Sequence, residues 1–197
     1  MKISVIRLKP YEAHSKEERA DRRRAAYSFL LSELRSEYGD RLSDSFLKEE
    51  DGHCDPVIAP LRKDALGKPY LPGHPEVLFN LSHSRNGYAA VIVADNREAD
   101  KVGIDIEARF PYHELLARKI CHEHETAALI QAVSDEERKN LLNRFWSRKE
   151  AVLKCEGTGI RSSLRELDTM NINPDLYEIK EEQTDDYTLV IAIKRVK

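Results

Sequence analysis

A chain of 197 residues with 41% apolar and 34% charged side chains can build one sizeable domain or two small ones, and is too apolar to belong to the disordered class. Its 32 basic and 35 acidic residues leave a net charge of −3, so no global field recruits nucleic acid or an acidic membrane and any anion site must be local. The opening MKISVIRLKP is too short and too alternating for a signal peptide, and no apolar run approaches the roughly 18 residues of a membrane span, so a cytoplasmic protein is expected.

Ile3 to Leu8 reads as a first strand, rich in β-branched residues and closed by Pro10. Ser15 and Glu18 form a capping-box pattern, after which Tyr27, Leu30, Leu31, Leu34 and Tyr38 repeat at helical spacing until Gly39. The early turns of that helix carry Arg19, Arg22, Arg23 and Arg24. From Asp40 to His74, Pro56, Pro60, Pro69 and Pro72 predict irregular connections and one short helix. Val77 to Leu81 and Gly87 to Ala94 read as strands joined by the turn-forming run Ser82 to Asn86. The polar stretch Asp95 to Asp100 is the expected boundary between an N-terminal half, 1–98, and a C-terminal half, 99–197.

Lys101 to Glu107 opens the second half as a strand. One helical pattern follows over Tyr112 to Val133, and another over Ser134 to Cys155, with Ser134 and Glu137 as its capping box and Gly157 and Gly159 as its stop. Strands are predicted near Tyr177 to Lys180 and Tyr187 to Val196. Both halves therefore read strand, helix, strands, an α+β pattern, with no residue-level repeat between them. Cys54, Cys121 and Cys155, odd in number and widely spaced, read as free buried thiols.

The chemistry concentrates in two segments. In GIDIE, Gly103 to Glu107, the period of a strand sends Asp105 and Glu107 to one face and Ile104 and Ile106 to the other. Two carboxylates side by side either form a solvated face or hold a divalent cation. In FWSRKEAVLK, Phe145 to Lys154, helical spacing places Trp146, Glu150 and Lys154 on one stripe with Lys149 beside them. Glu150 and Lys154 are either an ordinary surface pair or a third carboxylate and a phosphate-binding cation. Further candidate anion grips are the arginine cluster, Lys68 in its Gly-Lys-Pro turn, and His83 between Ser82 and Ser84. His122-Glu123-His124-Glu125 has the composition of a metal cluster, but within a helix the two imidazoles point about 200° apart and cannot share an ion.

GIDIE followed by FWSRKEAVLK resembles the paired signature of the 4′-phosphopantetheinyl transferases, and GKPY at Gly67 to Tyr70 and FNLSHS at Phe79 to Ser84 resemble two upstream motifs of the larger, surfactin synthetase activator-like type. The resemblance implies two similar halves related by a pseudo-twofold axis, an active site between them, and a monomer. It also implies a reaction: the phosphopantetheine arm of coenzyme A passes to a serine of an acyl or peptidyl carrier protein and 3′,5′-ADP is released. By motif match, Asp105, Glu107 and Glu150 would be Mg²⁺ ligands, with Mn²⁺ equally suited to oxygen donors. Ser82, His83 and Lys154 would meet coenzyme A, with His83 and Lys154 on its phosphates. Lys68 would line its pocket, and Arg22 and Arg23 rank ahead of Arg24 for its 3′-phosphate. Glu150, directly or through water, would be the base for the carrier serine, and Lys154 would stabilise developing charge. The competing readings are a Mg²⁺-dependent hydrolase of a nucleotide or diphosphate and a non-catalytic coenzyme A-binding relative.

Overall fold

The computed structural model describes residues 1–8, 15–42, 61–159 and 164–196. Strand β1 (Lys2–Arg7) leads to helix α1 (Lys16–Tyr38), whose start is fixed by the expected capping box: Ser15 accepts the Glu18 N–H and the Glu18 carboxylate accepts the Ser15 N–H. A short 3₁₀ turn at Gly39–Leu42 ends it. The expected short helix between Asp40 and His74 falls largely on residues 43–60, outside the described residues; beyond them lies a small hairpin of β2 (Arg62–Lys63) and β3 (Pro69–Tyr70).

Strands β4 (Val77–His83) and β5 (Tyr88–Asp95) complete the first half, and β6 (Lys101–Ala108) opens the second. Strand β4 is two residues longer than its sequence suggests. Ser82 and His83, expected in the turn, pair with Ala90 and Ala89 of β5, because the reversal is made lower down by Ser84 to Gly87. The predicted single helix over Tyr112 to Val133 is likewise two, α2 (Glu114–Ile120) and α3 (Glu123–Gln131). Cys121 and His122 both have extended backbones between them, and His122 caps α3. Helix α4 (Asp135–Glu156) is capped by Ser134 and stopped by Gly157, whose left-handed φ of 76° suits glycine. Strands β7 (Tyr177–Gln183) and β8 (Tyr187–Lys194) end the described chain.

All three sheets are antiparallel, and the two larger ones have the orders β1-β5-β4 and β6-β8-β7. Each of these two sheets thus places its last strand in the centre, its first on one edge and its second on the other. Leu30 and Leu34 of α1 pack on Phe79, Val91 and Val93, one face of the first sheet. The opposite face, through Ala90, Ile92 and Ala94, meets Ile104, Ile106, Leu189 and Ile191 of the second half. Helix α4 covers the far face of that second sheet, with Ala151, Val152 and Cys155 on Val190 and Ala192. A fully buried Leu or Ile in such a stack contributes roughly 1.5–3 kcal/mol, so the apolar contact between the halves is itself a core.

Cys121 and Cys155 are free and buried, as expected, and Cys54 lies outside the described residues. Among the described residues no helix is long and apolar enough to cross a membrane.

Candidate active site

The site lies where β4 of the first half runs beside β6 of the second. Strand β6 is an edge strand, and its Ile104 N–H is taken up by the buried side chain of Asn80, 3.0 Å away on β4. One turn of the pleat further along, Ser82 faces the same way and donates to Asp105 Oδ1 at 3.1 Å. Lys154 of α4 reaches the same place: its ammonium is 2.7 Å from Asp105 Oδ1 and 2.9 Å from Ser82 Oγ. Three motifs that are far apart in sequence therefore converge on one carboxylate oxygen.

Gly103 makes this possible. A methyl group at that position would stand 2.2 Å from the Ala151 carbonyl oxygen and 2.4 Å from the Cys155 nitrogen. Without it, α4 lies directly on the strand, on the face that Asp105 and Glu107 share, and Glu150 joins them. Burial raises the pKa of both Glu107 and Glu150. The charge of Asp105 raises Glu107 further; Lys154 pulls Glu150 back, against the pushes of Asp105 and Glu107.

Two buried oxygens of this cluster, Asp105 Oδ2 and Glu150 Oε1, accept no hydrogen bond. A buried carboxylate oxygen without a donor is costly. The three carboxylates are close enough to shift one another's protonation, and an all-oxygen donor set with orphaned oxygens has the chemistry of a hard divalent cation's ligands, such as those of Mg²⁺.

The rim carries an imidazole and several cations. His83, next to Ser82 but on the other face of β4, is accessible from solvent; partial burial against the protein lowers its pKa, and the charges of Arg22 and Lys154 lower it further. Arg22 is buried and directs Nη1 at the Ser84 carbonyl, 3.4 Å away. Arg23 lies over the Tyr27 ring at 5.8 Å, whereas Arg24 is paired with Asp21. Lys68 is placed differently from the other cations. Its ammonium meets the Cys155 carbonyl at 3.1 Å and the Val102 carbonyl at 3.4 Å, at the C-terminal end of α4, where a cation also suits the helix dipole. Beside Glu107 an open, mainly apolar groove of about 490 Å³ is lined by residues including Arg85, Phe110, Tyr112, Leu116 and Trp146.

Lys149 is not at this surface. It is fully buried, 2.8 Å from the equally buried Glu125 of α3, and also bonds the Leu164 and Leu167 carbonyls. Sequence spacing set it beside Glu150 without distinguishing a site residue from a strut; the signal was Glu125, a lone acid on the inward side of α3. The HEHE segment also departs from expectation. Because His122 is an extended cap rather than a helical residue, its ring and that of His124 lie on one side, centroids 4.9 Å apart, and the two can face a common ion.

Known proteins point the same way. Residues 101–192 match the family model of the 4′-phosphopantetheinyl transferase superfamily. The chain is similar to the 4′-phosphopantetheinyl transferase HetI of Nostoc sp. (36% identity over 102 residues, 49% of this chain and 41% of the relative). It is also similar to the 4′-phosphopantetheinyl transferase Sfp of Bacillus subtilis (33% over 94 residues, 48% and 39%). A fungal relative, the L-aminoadipate-semialdehyde dehydrogenase-phosphopantetheinyl transferase of Eremothecium gossypii, is 31% identical over 127 residues, 61% of this chain and 45% of the relative. The likeness to the 4′-phosphopantetheinyl transferase superfamily rests on residues 101–192, just under half of the chain, and the matched segments span less than half the length of these curated relatives.

Proposed function

We propose that the protein transfers the 4′-phosphopantetheine arm of coenzyme A to a serine hydroxyl of an acyl or peptidyl carrier protein and releases 3′,5′-ADP. The observation that carries this reading is the convergence of Ser82, Asp105 and Lys154, from both halves, beside the orphaned oxygens of Asp105 and Glu150. Asp105, Glu107 and Glu150 would hold Mg²⁺, or Mn²⁺, which when bound neutralises charge on the diphosphate. Lys154 supplies a second positive charge at the same place. Arg22, with Arg23 next to it, offers positive charge to the phosphates, and His83, whose pKa is lowered, offers a neutral imidazole as a hydrogen-bonding partner beside them; Lys68 supports the end of α4 at the edge of the pocket. The apolar groove beside Glu107 suits the largely uncharged pantetheine arm or the carrier surface that delivers the serine.

In the transfer, the serine oxygen forms a bond to the phosphorus bearing pantetheine while that phosphorus releases the oxygen of the nucleotide phosphate. The serine proton goes to a base, and Glu150, whose raised pKa suits that task, would take it directly or through water. Lys154 stabilises the charge left on the departing nucleotide. The shared strand order supports halves 1–98 and 99–197 related by a pseudo-twofold axis. We infer a cytoplasmic monomer of the larger, surfactin synthetase activator-like type that uses neither nucleic acid nor membrane. The test is chromatographic measurement of 3′,5′-ADP released from coenzyme A with Mg²⁺, with and without an apo carrier protein. Release that needs the carrier supports transfer; release without it makes the protein a hydrolase, and binding without release makes it a non-catalytic relative.

A further inference from the structure

The reading of the carboxylate cluster leaves the HEHE segment unused. His122 ends the extended link between α2 and α3, with φ −65° and ψ 165°, so its ring is swung to the side on which His124 projects from the first turn. Asp168, two residues past the 3₁₀ turn Leu164–Glu166, reaches both: its Oδ2 is 2.6 Å from His124 Nδ1 and 3.6 Å from His122 Nδ1. One donor atom from each of the three residues lies within 4.8 Å of the others.

A zinc-type ion with bonds of about 2.0–2.2 Å in a tetrahedral shell keeps its donors roughly 3.3–3.5 Å apart. The two observed nitrogen–oxygen separations lie on either side of that spacing; the shorter is a hydrogen bond that an ion would replace, and because His122 Nδ1 also accepts the His124 N–H at 3.3 Å, an ion there would take that lone pair from the cap. Two imidazoles and one carboxylate, with a coordination position left open, is a donor set for a borderline transition metal rather than for Mg²⁺. The carboxylate is already held in place: Asp168 Oδ1 accepts the Met170 N–H at 3.0 Å, and the Asn171 amide donates to Oδ2 at 2.7 Å while lying 3.0 Å from His124 Nδ1. A simple ion pair uses one imidazolium. Two protonated rings this close would repel, whereas one cation shared between neutral rings satisfies both.

We propose that His122, His124 and Asp168 form a binding site for a divalent transition metal of the zinc class, separate from the carboxylate cluster. Its effect is to clamp the segment around Asp168 onto α3. The neighbouring Thr169 already donates its N–H to Glu125 Oε1 at 3.0 Å, and Glu125 Oε2 holds both the His122 N–H, at 2.9 Å, and the Lys149 ammonium. The clamp therefore closes over the buried pair that supports α4 next to Glu150. It does not depend on the transfer reaction.

The experiment is titration of the chelator-stripped full chain with Co²⁺ or Zn²⁺ alone, in excess Mg²⁺, followed by cobalt absorption and by melting temperature. The expected result is one equivalent of Co²⁺ with the visible bands of an imidazole-ligated ion, not displaced by Mg²⁺, and a rise in melting temperature. His124→Gln and Asp168→Asn should each weaken binding about tenfold or more and lose the rise. His122→Asn keeps a good helix cap and should weaken binding likewise; with three independent variants, one that fails to fold leaves the comparison intact. No cobalt binding in the parent chain, equal affinity in folded variants, or displacement by Mg²⁺ overturns the proposal.

Discussion

The backbone of Gly103 lies against the Ala151 carbonyl so closely that a methyl group there would come within 2.2 Å of the oxygen. Strand and helix thus touch backbone to backbone, which sets the height at which Glu150 stands over Asp105 and Glu107. Both obstructing groups are main chain and cannot swing aside. Gly103→Ala should cost roughly 1–3 kcal/mol or more and lower the response to Mg²⁺. A variant with the parent's melting temperature and Mg²⁺ response would show that this contact does not set the site.

Glu150→Gln removes a charge that burial disfavours and keeps the side chain's shape. The variant should melt no lower than the parent without metal, yet gain much less from saturating Mg²⁺ and lose turnover. Thermal melts with and without Mg²⁺ separate the two effects; an undiminished Mg²⁺ gain would take Glu150 out of the cation site.

The sign of the pH dependence follows from the same burial. Glu107 and Glu150 are both raised above an ordinary value of 4.5, so the folded chain keeps protons there that the unfolded chain has lost. Their contribution to stability falls as pH climbs from that ordinary value through their raised ones. A divalent cation offsets the cost only where the groups are ionised. The rise in melting temperature given by Mg²⁺ should therefore be larger near about pH 8 than near about pH 5. A gain independent of pH would mean that Mg²⁺ binds elsewhere. Glu156 behaves in the opposite sense: burial would raise it, but hydrogen bonds from Lys101, Tyr177 and Lys194 hold it at about 2, so its contribution is present above the ordinary carboxylate value and lost on strong acidification.

Lys149 and Glu125 are both fully buried and mutually paired, so losing one strands the other's charge in the core. Lys149→Met alone should destabilise by roughly 3–5 kcal/mol, and adding Glu125→Leu should recover only part of the loss, because it removes the stranded charge but also the acceptor of the Thr169 and His122 N–H groups. Chemical denaturation of the single and the double variant, beside the parent, measures both. A single variant as stable as the parent would contradict the strut role.

Periodicity and caps made most of the fold legible: the Ser15 and Glu18 box starts α1 where expected, and Gly157 stops α4. What misled was local chemistry overridden by partners. Ser82 and His83 look like turn residues, yet pairing with β5 holds them in the strand, and that places Ser82 on Asp105. The break at Cys121 and His122 has no glycine or proline to announce it, so the sequence reads as one helix and hides the shared side of the two imidazoles. Strand and helix periods put Asp105 and Glu107 on one face and Glu150 and Lys154 on one stripe, but spacing alone leaves them open between surface charge and a site; only the resemblance of the two motifs singles them out. That Asn80 and Gly103 would bring those faces together depends on contacts between segments that no spacing encodes. The two larger sheets share a strand order without a matching sequence, since topology requires only that apolar faces alternate in the right places.

The most direct test is intact mass spectrometry of an apo carrier protein incubated with the protein, coenzyme A and Mg²⁺, alongside a chelated sample and the Asp105→Asn variant. A gain of one phosphopantetheine, about 340 Da by covalent composition, in the first sample and absent from the other two is the predicted result. An unmodified carrier across fatty-acid and peptide types, or a gain undiminished by the chelator and by Asp105→Asn, would contradict the assignment of this cleft.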